Sequence, residues 1–330
     1  HTPISLVMKV YPYSPSCCTC WDAAVADSRN GTFLFFRDFM EYHSSRFRDA
    51  SLIFVDDRDR IKGLLPASWH SECGEIRSHG GLTYGGFVLS PKTHAIEVEE
   101  MVSLAVEHYI HEYQANRLVI RPVPYIYHHQ PSDDELYWLF RYGARLCASG
   151  LASVIELDAP GPLAKQRKRG LNHAMKSNLE VQEVCTEDDA SWRDYWKILT
   201  EVLQSRHGVN PVHSLDEIIL LVRRFPTHIK LKVVRHPASR QIIAGSVLFL
   251  SLPVVHIQYI ASTPEGRGIG ALDLLFVSLC KEYVGVSGFR YLDFGISTEN
   301  GGLVLNEGLN RQKEGFGARS VVYQSFGLDL

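Results

Sequence analysis

Apolar residues recur along this chain in two rhythms, a period of two that marks strands and a period near four that marks helices. Runs at 32–35 and 51–55 predict strands, and the charged turn 56–60 leads the second into an antiparallel return at 61–67. Between 97 and 113, Val98, Met101, Val102, Ala105, Tyr109 and Ile110 fall at helical spacing. A strand is expected at 118–122. Ser132 followed by Asp133, Asp134 and Glu135 is a capping and charge pattern, so a helix is expected over 136–146 and a closing strand at 153–157. Proline and glycine at 158–162 make the clearest break in the chain. Beyond it come a basic helix at 165–176, a strand at 181–185, helices at 192–206 and 215–225, and a hairpin pairing 229–234 with 242–250. A strand at 254–260, a glycine turn, a helix at 271–284 and a strand at 290–294 follow. In the strand 254–260, strict alternation puts His256 and Gln258 on one face and Ile257 and Tyr259 on the other.

A chain of 330 residues has room for two domains of ordinary size. Hydrophobic residues make up 45% of it, yet no apolar run approaches the length of about 18 that a membrane span needs, and no charged-then-apolar leader opens it. The expectation is a cytoplasmic protein beginning at Met8, with residues 1–7 vector-derived. Seven cysteines, an odd number, argue for reduced thiols over a disulfide framework. The only cluster, Cys17-Cys18-x-Cys20, suits no tetrahedral zinc, so no metal is expected and this stretch reads as a mobile tail. With a net charge of −3, nothing global announces a nucleic-acid binder. The basic stretch 165–176 is the one dense patch that tRNA could use.

The turn Gly266-Arg267-Gly268-Ile269-Gly270-Ala271 sits between a strand and a helix, where glycine backbone and the first helical amides can cradle a pyrophosphate. Gly266, Arg267, Gly268 and Gly270 are the candidate anion binders; the alternative is a packing device. Near the C-terminus the chain reads Tyr291-Leu292-Asp293-Phe294-Gly295-Ile296-Ser297, then Leu305-Asn306-Glu307-Gly308-Leu309, then Lys313-Glu314-Gly315-Phe316-Gly317-Ala318. A strand ending in Asp-Phe-Gly-x-Ser, a gap, and Lys-x-Gly-Phe-Gly-Ala resembles the C-terminal half of FemAB-like proteins, a group related to the GNAT acyltransferases. The resemblance implies an α/β (α+β) fold of two tandem GNAT-like domains, each a mixed, mostly antiparallel sheet flanked by helices. It implies an acceptor-binding domain at 8–160 and a donor-binding, catalytic domain at 165–330. Two departures stand out. Glu265 holds the first position of the glycine loop, where an acid would face the pyrophosphate, and Arg311-Gln312-Lys313-Glu314 precedes Gly315-Phe316 where GNAT enzymes commonly keep a tyrosine acid.

Acyl transfer to an amine needs a polarised donor carbonyl and a group to take the amine proton. His256 suits the second task and Asp293 would be costly to bury unless paired. Lys313 matches the lysine that the family uses to stabilise developing charge or bind substrate. Candidate substrate contacts are Tyr84 in the glycine-dense segment 77–86, Tyr127, Arg206 and His213 around the loop 206–213, Gln258, and Asn306 and Glu307 in a glycine-flanked turn. Three readings follow. The first is an N-acyltransferase taking an acyl or aminoacyl group from aminoacyl-tRNA to an amine of a cell-envelope or natural-product precursor. The second is an acyl-CoA-dependent N-acetyltransferase acting on an amino sugar or small amine, and the third a non-catalytic binding protein on the same fold. None requires a tightly bound cofactor, and the oligomeric state is open.

Overall fold

The computed structural model describes residues 8–330; the stretch 1–7, expected to be vector-derived, lies outside the described residues. The chain divides into two units. One runs up to Gly150 and takes in 300–303 and 322–330; the other comprises 151–299 and 304–321. This division falls ahead of the break expected at 158–162. Residues 152–156 pair with the strand Tyr291–Ile296, and Ile155 and Leu157 are buried in the second unit's core. The chain's last strand sends Phe326–Asp329 to pair antiparallel with Arg117–Ile120 of the first unit.

In the first unit, Lys9–Pro12, Leu52–Val55, Ile61–Leu65 and Val88–Leu89 form an antiparallel four-stranded sheet, and the expected antiparallel return at 61–65 is present, with Phe54 opposite Gly63. The helix Ala95–Tyr113 lays Val98, Met101, Val102, Ala105 and Tyr109 into the core. Three expectations fail locally. Residues 32–35 make a 3-10 turn, Phe33–Phe35, because the backbone closes from Phe35 N to Thr32 O while the rings pack against Phe39 and Tyr84. The helix Asp134–Arg141 stops early because Gly143 takes φ +84, which turns Leu146 into the strand Arg145–Glu156. The cysteine stretch is no tail: it starts the helix Cys18–Asp27, pinned by the buried Trp21, whose indole N–H donates to Phe35 O at 2.7 Å.

The second unit supplies the elements that matter below, labelled here in chain order. They are α1 (Lys165–Lys176), β1 (Glu180–Glu183), α2 (Asp189–His207), α3 (Leu215–Arg224), β2 (Ile229–Arg235), β3 (Ile242–Ser251), β4 (Val254–Ser262), α4 (Ala271–Tyr283), β5 (Tyr291–Ile296) and α5 (Glu307–Glu314). Strands run in the order β1-β2-β3-β4-β5, all antiparallel except β4 beside β5. Every residue of β3 is buried, as expected for a central strand covered on both faces. On one face Leu248, Val255 and Ile257 pack against Leu275, Phe276 and Leu279 of α4. On the other, Tyr259 meets Trp196 of α2 and Phe249 meets His213 of the α2–α3 loop. Local signals set the helix starts: Asp188 caps α2, and Ser214 with Glu217 forms a capping box on α3.

Candidate active site

Two irregularities in the sheet build the site. β4 and β5 pair in parallel only from Val254–Tyr291 to His256–Asp293, so the rest of β4 runs on unpaired with β5. Between β3 and β4 the register slips: Leu248 faces Ile257 and Val247 faces Tyr259, leaving Gln258 as a bulge residue. Residues directly opposite share a face, so Tyr259 joins Phe249 and His256 on one face while Ile257 stays on the other. This corrects the strict alternation expected from the sequence, because the extra residue at Gln258 reverses the parity after Ile257.

The paired end of β4 carries the titratable cluster. His256 Nδ1 lies 3.2 Å from Asp293 Oδ2, and the other oxygen, Oδ1, accepts the Gly295 amide at 2.7 Å. Asp293 is fully buried, and these partners make an ionised carboxylate tenable there. A proton on Nδ1, facing Asp293, would leave Nε2 as the acceptor nitrogen of the ring. Gly295 takes φ +71, which bends β5 out of its ladder at the irregularity between Asp293 and Ile296. Lys313 holds that bend: its Nζ donates to Gly295 O at 3.1 Å and to Ile296 O at 2.9 Å. The lysine is 5% exposed, and burial pulls its pKa down to about 8, with the Asp293 charge opposing the fall. Two of its three donors are thus engaged with backbone. Tyr259 bonds His213, hydroxyl to Nδ1 at 2.6 Å, and burial lifts the phenol to about 12.

The end of β4 beyond its pairing with β5, Ile260 to Ser262, stays paired with β3 and lines a cavity of about 650 Å³. Its walls come from α1, the C-terminal end of α2, the glycine turn with the first residues of α4, and Leu309 and Gln312 of α5. Arg167, Arg169, His173, Arg206, His207 and Arg267 face it, against one acid, Asp273. Asp273 is itself held by Arg167 Nη1 at 2.7 Å. The cavity therefore offers a strongly cationic lining, suited to phosphate. His256, Asp293 and Lys313 are not among its lining residues, although Gln312 precedes Lys313 on the same helix.

The glycine turn folds more tightly than expected. Pro264–Gly268 closes into a short helix in which the Gly266 amide donates to Thr263 Oγ1, Arg267 N to Thr263 O, and Ile269 N to Glu265 O. A Cβ on Gly266 would come within 2.3 Å of Ile243 O, and one on Gly270, at φ +77, within 2.1 Å of Gly170 O. Those two glycines serve close packing. A Cβ on Gly268 would meet nothing within 4 Å, so its backbone borders open space. Arg267 donates to Ser262 O at 2.8 Å. Glu265 does not line the cavity and sits 3.7 Å from His236 Nε2, which removes the clash with an anion that the sequence suggested.

The remaining candidates scatter. Arg206 lines the cavity, and His213 is buried against Tyr259. Asn306 is the N-cap of α5, its Oδ1 accepting Leu309 N at 3.0 Å, with Glu307 in the first turn; the expected free turn is a helix start. Tyr84 and Tyr127 are buried in the first unit, their hydroxyls on Thr32 and Tyr323 and their rings 4.9 Å apart. In place of a substrate loop, the segment 77–86 packs Gly80 and Gly81 against His70, His43 and Phe47. The sequence reading took 165–176 as one basic patch without singling out Arg169 and His173, and it missed Gln312. Gln166, Arg169 and His173 recur at helical spacing on one face of α1, a signal that was available.

Residues 164–300 match the acetyltransferase (GNAT) domain family. No curated protein matches the chain in sequence. Among solved structures, FemX is 12% identical, with 98% of this chain and 97% of that one covered at a TM-score of 0.68. L-PGS from Bacillus licheniformis is 11% identical, covering 95% and 91%, with a TM-score of 0.61. A tandem GNAT protein from the clavulanic acid biosynthesis pathway is 11% identical, covering 98% of each chain, with a TM-score of 0.51. At these identities the shared feature is the fold. Among the described residues no helix is long and apolar enough to cross a membrane.

Proposed function

We propose that this chain is a FemAB-like N-acyltransferase of the GNAT superfamily, whose donor is aminoacyl-tRNA and whose acceptor is an amine on a cell-envelope or natural-product precursor. The observation that carries the reading is the cationic cavity at the end of β4 beyond its pairing with β5, on the same strand as His256, which Asp293 of β5 contacts. In this reading the cavity holds the phosphates of the tRNA 3′ end, and α1, with Lys165, Lys168 and Lys176 exposed, extends the basic surface along the strand of RNA. The aminoacyl ester carbonyl lies against β4, where backbone amides polarise it. His256 Nε2 takes the proton from the attacking amine, and Asp293 stabilises the imidazolium that forms. The amide bond forms as the ester C–O bond breaks, and the released ribose oxygen takes the proton that His256 gained from the amine, which returns the ring to its neutral form. Lys313 keeps β5 bent so that the Gly295 amide and Asp293 stay in register.

Donor choice follows from where the turn's amides go. Four of them, those of Gly266, Arg267, Ile269 and Gly270, are already bonded within the turn, and Asp273 places a carboxylate in the first turn of α4. Both features lower the capacity for a compact pyrophosphate, whereas a broad arginine and histidine wall suits spaced phosphodiesters. An acyl-CoA donor is the second reading, favoured by the open backbone at Gly268. The direct test is single-turnover consumption of labelled aminoacyl-tRNA in the presence of amino-sugar and peptide amines. Amine-dependent loss of the ester, absent in His256→Ala, is expected; transfer from acetyl-CoA instead would install the second reading.

A further inference from the structure

The helix Cys18–Asp27 opens with a cysteine pattern that acyl transfer leaves unused. Cys17 is the N-cap residue and Cys20 follows three positions later, giving Cys-x-x-Cys across a helix N-terminus. Helical backbone between them sets their Cα atoms about 5 Å apart, inside the range that a disulfide bridges. Ser14 Oγ lies 3.6 Å from Cys17 Sγ and Ser16 Oγ 4.0 Å from it, and the Ser14 contact is the main influence holding the thiol below its ordinary pKa. Cys18 goes the other way, pushed up by burial and then by Asp22. The neighbouring thiols are thus differentiated, with Cys17 the better thiolate former. A second observation comes from the surface beside them. Cys20 is exposed and lines a groove of about 300 Å³ with Ala23, Ala24, Ile61, Leu64 and Val88. That volume is at the lower end of small-ligand sites, enough for a low-molecular-weight thiol compound.

We infer that Cys17 and Cys20 are a reversible dithiol–disulfide couple that exchanges with a low-molecular-weight disulfide, Cys17 attacking and Cys20 resolving. The Cys17 thiolate attacks one sulfur of the small disulfide, whose S–S bond breaks; one thiolate leaves and takes up a proton. Cys20 then gives up its proton and attacks Cys17 in the mixed disulfide, and the second small thiol leaves. Two electrons and two protons pass from the protein to the small disulfide, which is reduced to two thiols.

The test uses the full chain, equilibrated with graded mixtures of reduced and oxidised glutathione, quenched by alkylation, and read by intact mass and peptide mapping. The wild type is expected to lose two hydrogens, with the bond mapping to Cys17–Cys20. Cys20→Ser should hold one glutathione on Cys17, Cys17→Ser should form no bond, and Cys18→Ser should behave as wild type. Cys17 should alkylate about tenfold faster than the exposed Cys147 and Cys185. Circular dichroism of each variant establishes that the fold is kept. A bond that maps to Cys18, equal glutathione loading at Cys147 and Cys185, or no bond at any mixture overturns the inference.

Discussion

Asp293 fixes what the His256 ring can do, because a buried carboxylate 3.2 Å from Nδ1 both orients the ring and stabilises its protonated form. Asp293→Asn keeps the shape and removes the charge, so kcat is expected to fall by about 10²-fold or more while KM stays nearly unchanged. Steady-state kinetics on the aminoacyl donor checks it, and a fall in affinity alone would make Asp293 a binding group. Lys313 makes a separate prediction. Its folded-state value of about 8 lies below the 10.5 of an ordinary lysine, so in that window the unfolded chain holds a proton that the folded protein has released. Burying the charge costs most below about pH 8, and stability gains with pH across the window. Denaturant unfolding of wild type and Lys313→Met, run below and above the window, should show the difference shift in favour of wild type at high pH. A pH-independent difference would mean that the lysine titrates normally.

Helix α1 and helix α4 meet through two glycines, and this contact shapes one wall of the cavity. A Cβ on Gly170 would lie 1.8 Å from Asp273 Oδ2, the carboxylate that also ties down Arg167. Gly170→Ala should therefore cost about 1–3 kcal/mol despite its better helix propensity, seen as a lower thermal midpoint, together with weaker donor binding. An unchanged midpoint would show that the helices can separate without loss. At this scale the sequence was most readable where a periodic pattern extended over several turns or a whole hairpin. The helices α1, α2, α3 and α4 and the hairpin of β2 with β3 were all legible. What escaped were events of one residue: the bulge at Gln258 and the φ +71 bend at Gly295, both tied to strand pairing, and the cap at Asn306, a local bond from Leu309 N to its side chain. Tyr84, in a glycine-rich segment, and Tyr127, in an aromatic and histidine run, show the same limit, since an aromatic reads alike whether it meets a ligand or a core.

For the whole molecule, net charge of −3 conceals a cavity in the second unit lined by six basic side chains and one acid. Composition could not reveal that clustering, because it arises only when α1, the end of α2 and the glycine turn fold around the end of β4. If that lining binds phosphodiesters, affinity for tRNA falls steeply with ionic strength, and Arg169→Glu lowers both the affinity and the salt slope. The measurement that bears most directly on the account is a calorimetric titration of the intact protein with a charged-tRNA pool at low and high salt, beside acetyl-CoA. Salt-sensitive tRNA binding that Arg169→Glu weakens, without acetyl-CoA binding, is the predicted result. Tight acetyl-CoA binding with no response to tRNA would contradict it and move the donor to a coenzyme A thioester.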